Sequence, residues 1–139
     1  MPEKKKQKFG VIRQKVLIPN SSPDKIYKAL LSSKEHSEFT GSPAKISARE
    51  GAKFTAWDGY ITGKNLTLVK GEKIEQAWRT TEFPDDYPDS LLKISLNKNG
   101  EGTELTMVQS KVPASQVGQY TTGWHESYWD PLKAYFQKN

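Results

Sequence analysis

Residues 113–137 read PASQVGQYTTGWHESYWDPLKAYFQ. Within them Val117, Tyr120, Trp124, Tyr128, Leu132 and Tyr135 recur at spacings of three and four, the period of a helix with one apolar stripe. At 1.5 Å per residue such a helix runs roughly 30 Å, enough to cross a small sheet. Ser115 is its expected N-cap, and Pro131 is expected to bend it, because an interior proline removes a hydrogen bond and clashes with the preceding turn. A stripe this aromatic needs a broad apolar surface to cover it.

The preceding chain supplies that surface. Gly51, Asp58-Gly59, Gly63, Lys70-Gly71 and Asn99-Gly100 punctuate short runs at the spacing of an antiparallel meander, with strands expected near 44–49, 52–58, 61–69, 72–81, 89–97 and 102–110. Leu92, Ile94 and Leu96 alternate with Lys93, Ser95 and Asn97, and Leu105 and Met107 answer from the next strand. The loop Phe83-Pro84-Asp85-Asp86-Tyr87-Pro88-Asp89 holds two prolines without amide donors, so it projects between two strands. Further upstream, Phe9 to Ile18 reads as a first strand. Ser22 before Pro23 and Asp24 starts a helix to about Leu31, and a second helical piece covers Ser33 to Phe39 before Gly41-Ser42-Pro43. The expected fold is α+β: a curved antiparallel sheet of six to seven strands, two short helices and one long C-terminal helix packed across the sheet.

Composition narrows the function. The 139 residues fit one domain over 9–139, preceded by a basic, flexible leader over 1–8 that carries Lys4, Lys5, Lys6 and Lys8. Cysteine is absent, which excludes disulfides, thiolate nucleophiles and Cys-based zinc sites. No signal-peptide core follows Met1 and no apolar run reaches membrane-spanning length, so a cytoplasmic protein without membrane insertion is expected. A formal charge of +5 does not by itself make a nucleic-acid binder.

Few residues suggest chemistry. His36 and His125, the two histidines, stand on different helical segments without further ligands nearby, and read as surface or boundary residues. The sequence around Asp58-Gly59 and Gly63 lacks a full phosphate-loop pattern. Asp85, Asp86 and Asp89 match no calcium-loop spacing and read as a solvated loop, so no metal and no cofactor are expected. Nothing assembles into nucleophile, base and orienting group, which leaves a non-enzymatic binding module. The stripe of Tyr120, Trp124, Tyr128 and Tyr135 is either filled core or the wall of a ligand cavity.

Four stretches carry a resemblance: Glu50-Gly51-Ala52-Lys53-Phe54, Trp57-Asp58-Gly59-Tyr60-Ile61-Thr62-Gly63, Lys73-Ile74-Glu75-Gln76-Ala77-Trp78-Arg79, and Gly123-Trp124-His125-Glu126-Ser127-Tyr128-Trp129 leading to Pro131-Leu132-Lys133. Over Val16 to Phe136 the chain resembles the domain named for activators of the ninety-kilodalton heat-shock chaperone's ATPase, within the START and birch-pollen-allergen helix-grip superfamily. It is similar above all to the C-terminal domain of the eukaryotic activator. Ala52 stands where that family often has a second glycine, and the family's proline near Lys70-Gly71 is missing. In this pattern Trp78 fills the concave face, Arg79 points outward, and Gly123 lets the last helix lie close to the sheet. The eukaryotic activators carry a separate N-terminal domain where this sequence has only the leader, which leaves open binding without activation.

Two functions follow from the resemblance. One is a monomeric co-chaperone-like module that binds the ninety-kilodalton chaperone and stimulates its ATPase, through an exposed surface of Trp57, Tyr60, Phe83, Asp85, Asp86 and Tyr87 whose apolar residues are expected to be exposed. The other is a carrier or sensor of a small hydrophobic, lipid-like ligand in a cavity lined by Phe54, Trp78, Leu92, Ile94, Met107, Tyr120, Trp124 and Tyr128.

Overall fold

A computed structural model describes residues 7–137. Its strands are β1 (Phe9–Ile18), β2 (Lys53–Ala56), β3 (Ile61–Val69), β4 (Lys73–Thr80), β5 (Ser90–Asn99) and β6 (Gly102–Pro113). They form one antiparallel sheet in the order β1-β6-β5-β4-β3-β2, so the meander is closed at one edge by the first strand. The β5–β6 hairpin has the expected register, with Ile94 opposite Met107 and Leu96 opposite Leu105. Alternation puts Ile12, Ile74, Trp78, Leu92, Ile94 and Met107 on the inward face, all buried.

Two short helices follow β1. Helix α1 (Pro23–Leu31) is capped by Ser22, whose Oγ accepts from the Lys25 amide at 3.3 Å. Ser32 caps α2 (Ser33–Thr40) in the same way through the Glu35 amide at 3.2 Å.

The strand expected over 44–49 is absent; one bridge, Lys45 to Thr55, is all that pairs there. Side chains of α2 take the backbone groups instead. Ser33 Oγ donates to the Ile46 carbonyl and accepts from the Ile46 amide, both at 2.9 Å, and Ser37 Oγ accepts from the Ala44 amide at 2.9 Å.

The C-terminal helix also differs from expectation. A 3₁₀ turn, Ala114–Gln116, precedes α3 (Val117–Trp124), and Ser115 makes no cap. The helix then widens into a π turn, His125–Trp129, and resumes as α4 (Asp130–Gln137). In a regular helix Pro131 would offer no amide to the Ser127 carbonyl and would collide with it. The accommodation is the wide turn directly ahead of the proline, closed by the Asp130 amide on the His125 carbonyl.

Of the leader, residues 1–6, with Lys4, Lys5 and Lys6, lie outside the described residues. Gln7 and Lys8 are tied down rather than free: the Gln7 side chain donates to the Asp86 carbonyl, and the Lys8 amide donates to the Tyr87 hydroxyl at 3.1 Å.

Candidate functional site

The site begins at the turn between β2 and β3. Trp57 and Asp58 have φ of 52° and 55°, ahead of Gly59 at 89°. Two consecutive non-glycine residues in the left-handed region, one of them a tryptophan, store strain of order 1–2 kcal/mol each. The turn places Trp57 and Tyr60 beside the C-terminal helix, where both are half-buried. Behind them, Gly63 of β3 gives the sheet its close contact. A Cβ there would meet the Ala77 carbonyl oxygen at 2.0 Å and the Phe54 ring at 2.6 Å.

A pocket of about 240 Å³ opens between this turn and the helix. Trp57, Tyr60 and Ile61 form one wall, Trp78 of β4 the floor, and Gln119, Tyr120, Gly123, Trp124, Ser127 and Tyr128 the helical wall. The Trp78 ring lies 5.5 Å from both Tyr120 and Trp124, and Trp124 lies 4.9 Å from Tyr128 and stacks on Trp129 at 5.2 Å.

Hydrogen bonds lock the helix to the sheet around the pocket. Tyr120 donates to Gln116 Oε1 at 2.6 Å, so at its 2.6 Å contact with Thr80 the threonine hydroxyl is the donor. Gln116 donates onward to the Glu82 carbonyl at 2.8 Å, while Tyr60 and Gln119 both donate to the Glu82 carboxylate. Deeper in, Trp124 Nε1 donates to Gln109 Oε1 at 2.9 Å, and Gln109 Nε2 donates to Ser90 Oγ at 3.0 Å. On the far side Trp129 Nε1 donates to Gln14 Oε1 at 2.6 Å.

His36 is buried, against the expectation of a surface position. Its Nδ1 lies 3.0 Å from the Leu30 carbonyl, which can only accept, so Nε2 is the bare nitrogen and the Tyr128 hydroxyl donates to it at 2.9 Å. Burial holds the imidazole pKa below its usual value, opposed by the Leu30 bond, and burial raises the Tyr128 hydroxyl. Burial likewise raises the Tyr120 and Tyr60 hydroxyls, helped at Tyr60 by Glu82. These phenols hold their protons, and the aromatic rings give the pocket a largely apolar lining.

Two buried polar side-chain atoms find no hydrogen-bond partner among the described residues: Trp57 Nε1 and Thr103 Oγ1. Trp57 Nε1 lies near enough to the Tyr128 hydroxyl to oppose the rise in its pKa, yet makes no hydrogen bond of acceptable geometry. Among the described residues no three His, Asp or Glu side chains gather to hold a metal ion, and no helix is long and apolar enough to cross a membrane.

The sequence-derived candidates divide. Trp78, Tyr120, Trp124 and Tyr128 line the pocket together with Trp57 and Tyr60, two residues expected on a separate docking surface. Phe54, Leu92 and Ile94 line only a void of about 20 Å³ beneath it, room for about one water. Met107 lines neither and is fully buried in the core. Phe83, expected to be exposed, is 3% exposed: it packs on Trp78 and lies under the Arg79 guanidinium, 5.4 Å from its ring. Arg79 faces outward as expected and pins the loop, donating to the Tyr87 and Pro84 carbonyls and to Asp89. Asp85 and Asp86 are exposed and Tyr87 half-buried. Gly123 does not serve close packing, since a Cβ there would meet nothing within 4 Å; it leaves space in the pocket wall.

Ile61, Gln119 and Ser127 in the wall, and Gln14, Ser90 and Gln109 behind it, were not singled out from the sequence. For Gln109 a signal existed: it follows Leu105 and Met107 at strand spacing, so it must point inward.

The family model described as activator of Hsp90 ATPase homolog 1-like protein matches residues 20–137. The chain belongs to this family. An AHSA1-like relative, the activator of 90 kDa heat shock protein ATPase homolog 1 of Mus musculus, is 31% identical over 116 residues, which is 84% of this chain and 34% of the relative. The chain thus spans about a third of the length of the curated relatives it matches. The crystal structure of an HSP90 activator from Plasmodium falciparum superposes with a TM-score of 0.79 at 18% identity, covering 93% of this chain and 96% of that one. The crystal structure of Ara h 8.0201 does so at 0.75 and 12% identity, covering 95% and 100%. Both likenesses establish the helix-grip fold of this AHSA1-like chain.

Proposed function

We propose that the chain is a non-enzymatic, co-chaperone-like module that docks on a ninety-kilodalton heat-shock chaperone through the pocket mouth. Residues 9–139 act in this reading as one helix-grip unit, monomeric and cytoplasmic, and stimulation of the chaperone's ATPase is part of the proposal. The name of the murine relative supplies the partner class. The observation that carries the reading is Trp57: a large ring on strained backbone, its indole N–H buried near the Tyr128 hydroxyl without a well-formed hydrogen bond, at the edge of an open aromatic pocket. Such a residue costs stability alone and gains when a partner packs an apolar side chain against its half-buried ring. Tyr60 shares the mouth, and Asp85, Asp86 and Tyr87 extend the surface on the adjoining loop.

A titration of isotope-labelled protein with the chaperone tests this. Amide shifts concentrated at residues 57–61 and 119–128, and loss of binding in Trp57→Ala, are expected. An unchanged spectrum at high chaperone concentration overturns it.

The pocket itself favours a second reading, a carrier of a small hydrophobic ligand. Its volume of about 240 Å³ falls below the roughly 300–1,000 Å³ of common ligand sites, so it suits a single ring better than a lipid. Saturable quenching of the pocket tryptophans by a one-ring apolar compound, without any chaperone shift, would favour this alternative.

A further inference from the structure

The helices cover one face of the sheet and leave the other to solvent. Pairing aligns its outward residues in rows across the strands: Arg13, Val108, Lys93 and Glu75 in one, Lys15, Thr106, Ser95 and Lys73 in the next. A third row ends in Leu91, Ala77, Lys64 and Lys53. Lysine and arginine therefore outnumber carboxylates on these rows, where Glu75 is the acid, and Glu104 stands on the next row between Leu17 and Asn97. Lys15 lies 4.0 Å from Glu104 and Lys73 3.8 Å from Glu75. Arg13, Lys53, Lys64 and Lys93 make no ion pair among the described residues.

The same face carries exposed apolar groups. Among the described residues the exposed large hydrophobic side chains are Phe9, Val11, Leu17, Leu66 and Val69, all on β1 or β3. On β1 the exposed Val11 and Leu17 flank Arg13 and Lys15 at strand spacing, which puts apolar and cationic groups side by side along this edge of the face.

We propose that this outward face docks an extended, acidic segment of a partner protein, one with glutamate or aspartate interspersed with apolar residues. Charge complementarity selects the sign of the partner. The spacing selects its form: Arg13 and Lys15 stand roughly 7 Å apart along β1, the distance between same-side residues of an extended chain. Nucleic acid fits less well, because the rows hold no aromatic side chain on which a base could stack, and Phe9 at the edge of the face is already packed on Tyr87 at 5.4 Å. The surface is separate from the pocket mouth, so the inference does not depend on the chaperone reading.

Titrating the labelled protein with a synthetic glutamate- and leucine-containing peptide at low ionic strength tests it. Shifts are expected on β1, β3, β4 and β5, weakening with added salt. Lys64→Glu combined with Lys93→Glu should weaken binding at least tenfold, on the order of 1.4 kcal/mol, while Lys34→Glu on α2 leaves it within about twofold. Should the double reversal impair folding, Lys93→Gln alone gives the same comparison. The proposal is overturned by an unshifted spectrum, by equal loss in Lys34→Glu, or by tighter binding of single-stranded RNA or anionic vesicles than of the peptide.

Discussion

Trp124 Nε1 donates to Gln109 Oε1 at 2.9 Å, across the interface of helix and sheet, and Gln109 is fully buried there. Replacing Gln109 by Leu keeps the volume but strands the indole N–H, at a cost of about 1–3 kcal/mol. In Trp124→Phe the same change should cost less, giving a coupling of about 1 kcal/mol in a double-mutant cycle followed by urea unfolding. Strict additivity would mean that the bond does not anchor the helix.

The buried His36–Tyr128 pair makes stability depend on pH. Burial holds the folded imidazole below 6.5, so as pH falls the unfolded chain takes up the proton first. The stability contribution is complete above that value and is lost on acidification toward the lower folded pKa. Between pH 7.5 and 5.5 the loss amounts to at most about 1.4 kcal/mol. Urea midpoints at the two pH values should fall further in the native protein than in His36→Gln, which keeps a donor and an acceptor without the charge. Parallel falls would refute the assignment.

Gly63 and Gly123 are expected to respond in opposite directions. Gly63→Ala drives a methyl group to 2.0 Å from the Ala77 carbonyl oxygen, which is backbone and cannot swing aside, so a loss of about 3 kcal/mol or more is expected. Gly123→Ala meets open space in a helix and should gain about 0.5–1 kcal/mol while narrowing the pocket. Thermal melts of the two variants settle both.

Trp57 trades stability for binding in the proposed function. Trp57→Phe removes the orphaned N–H and should leave the fold unchanged or up to about 1 kcal/mol more stable. Asp58→Gly relieves the left-handed backbone and should stabilise by about 1 kcal/mol. If calorimetry instead finds Trp57→Phe clearly destabilised, the indole N–H has a structural partner after all.

Periodicity made much of this fold legible. The β5–β6 alternation fixed a register that the structure keeps, and the Ser22-Pro23-Asp24 signal located α1. Residues 44–49 misled because their strand-like composition serves burial of Ala44 and Ile46, while Ser33 and Ser37 take their backbone groups. That exchange is long-range and leaves no local trace. The aromatic side of the pocket could be read from the helical stripe, but its division from the core could not. Met107 and Tyr128 have the same apolar character in a sequence; only the closure of sheet on helix decides which of them borders open space.

The wide turn at His125–Trp129 also sets a phase. A regular helix advances each residue by about 100°, so one additional residue in a turn rotates everything after it by that amount relative to an uninterrupted helix. Leu132 and Phe136 reach the core from the rotated side, and Trp129 comes to lie flat on Trp124. Closing this turn to a regular helix at unchanged length would swing both side chains of α4 out of the interior, whereas deleting one residue together with the wide turn would leave α4 in phase. The last eight described residues are thus held in place by a count, and an alignment that runs this turn against a regular helix without a one-residue gap would misassign every inward position behind it.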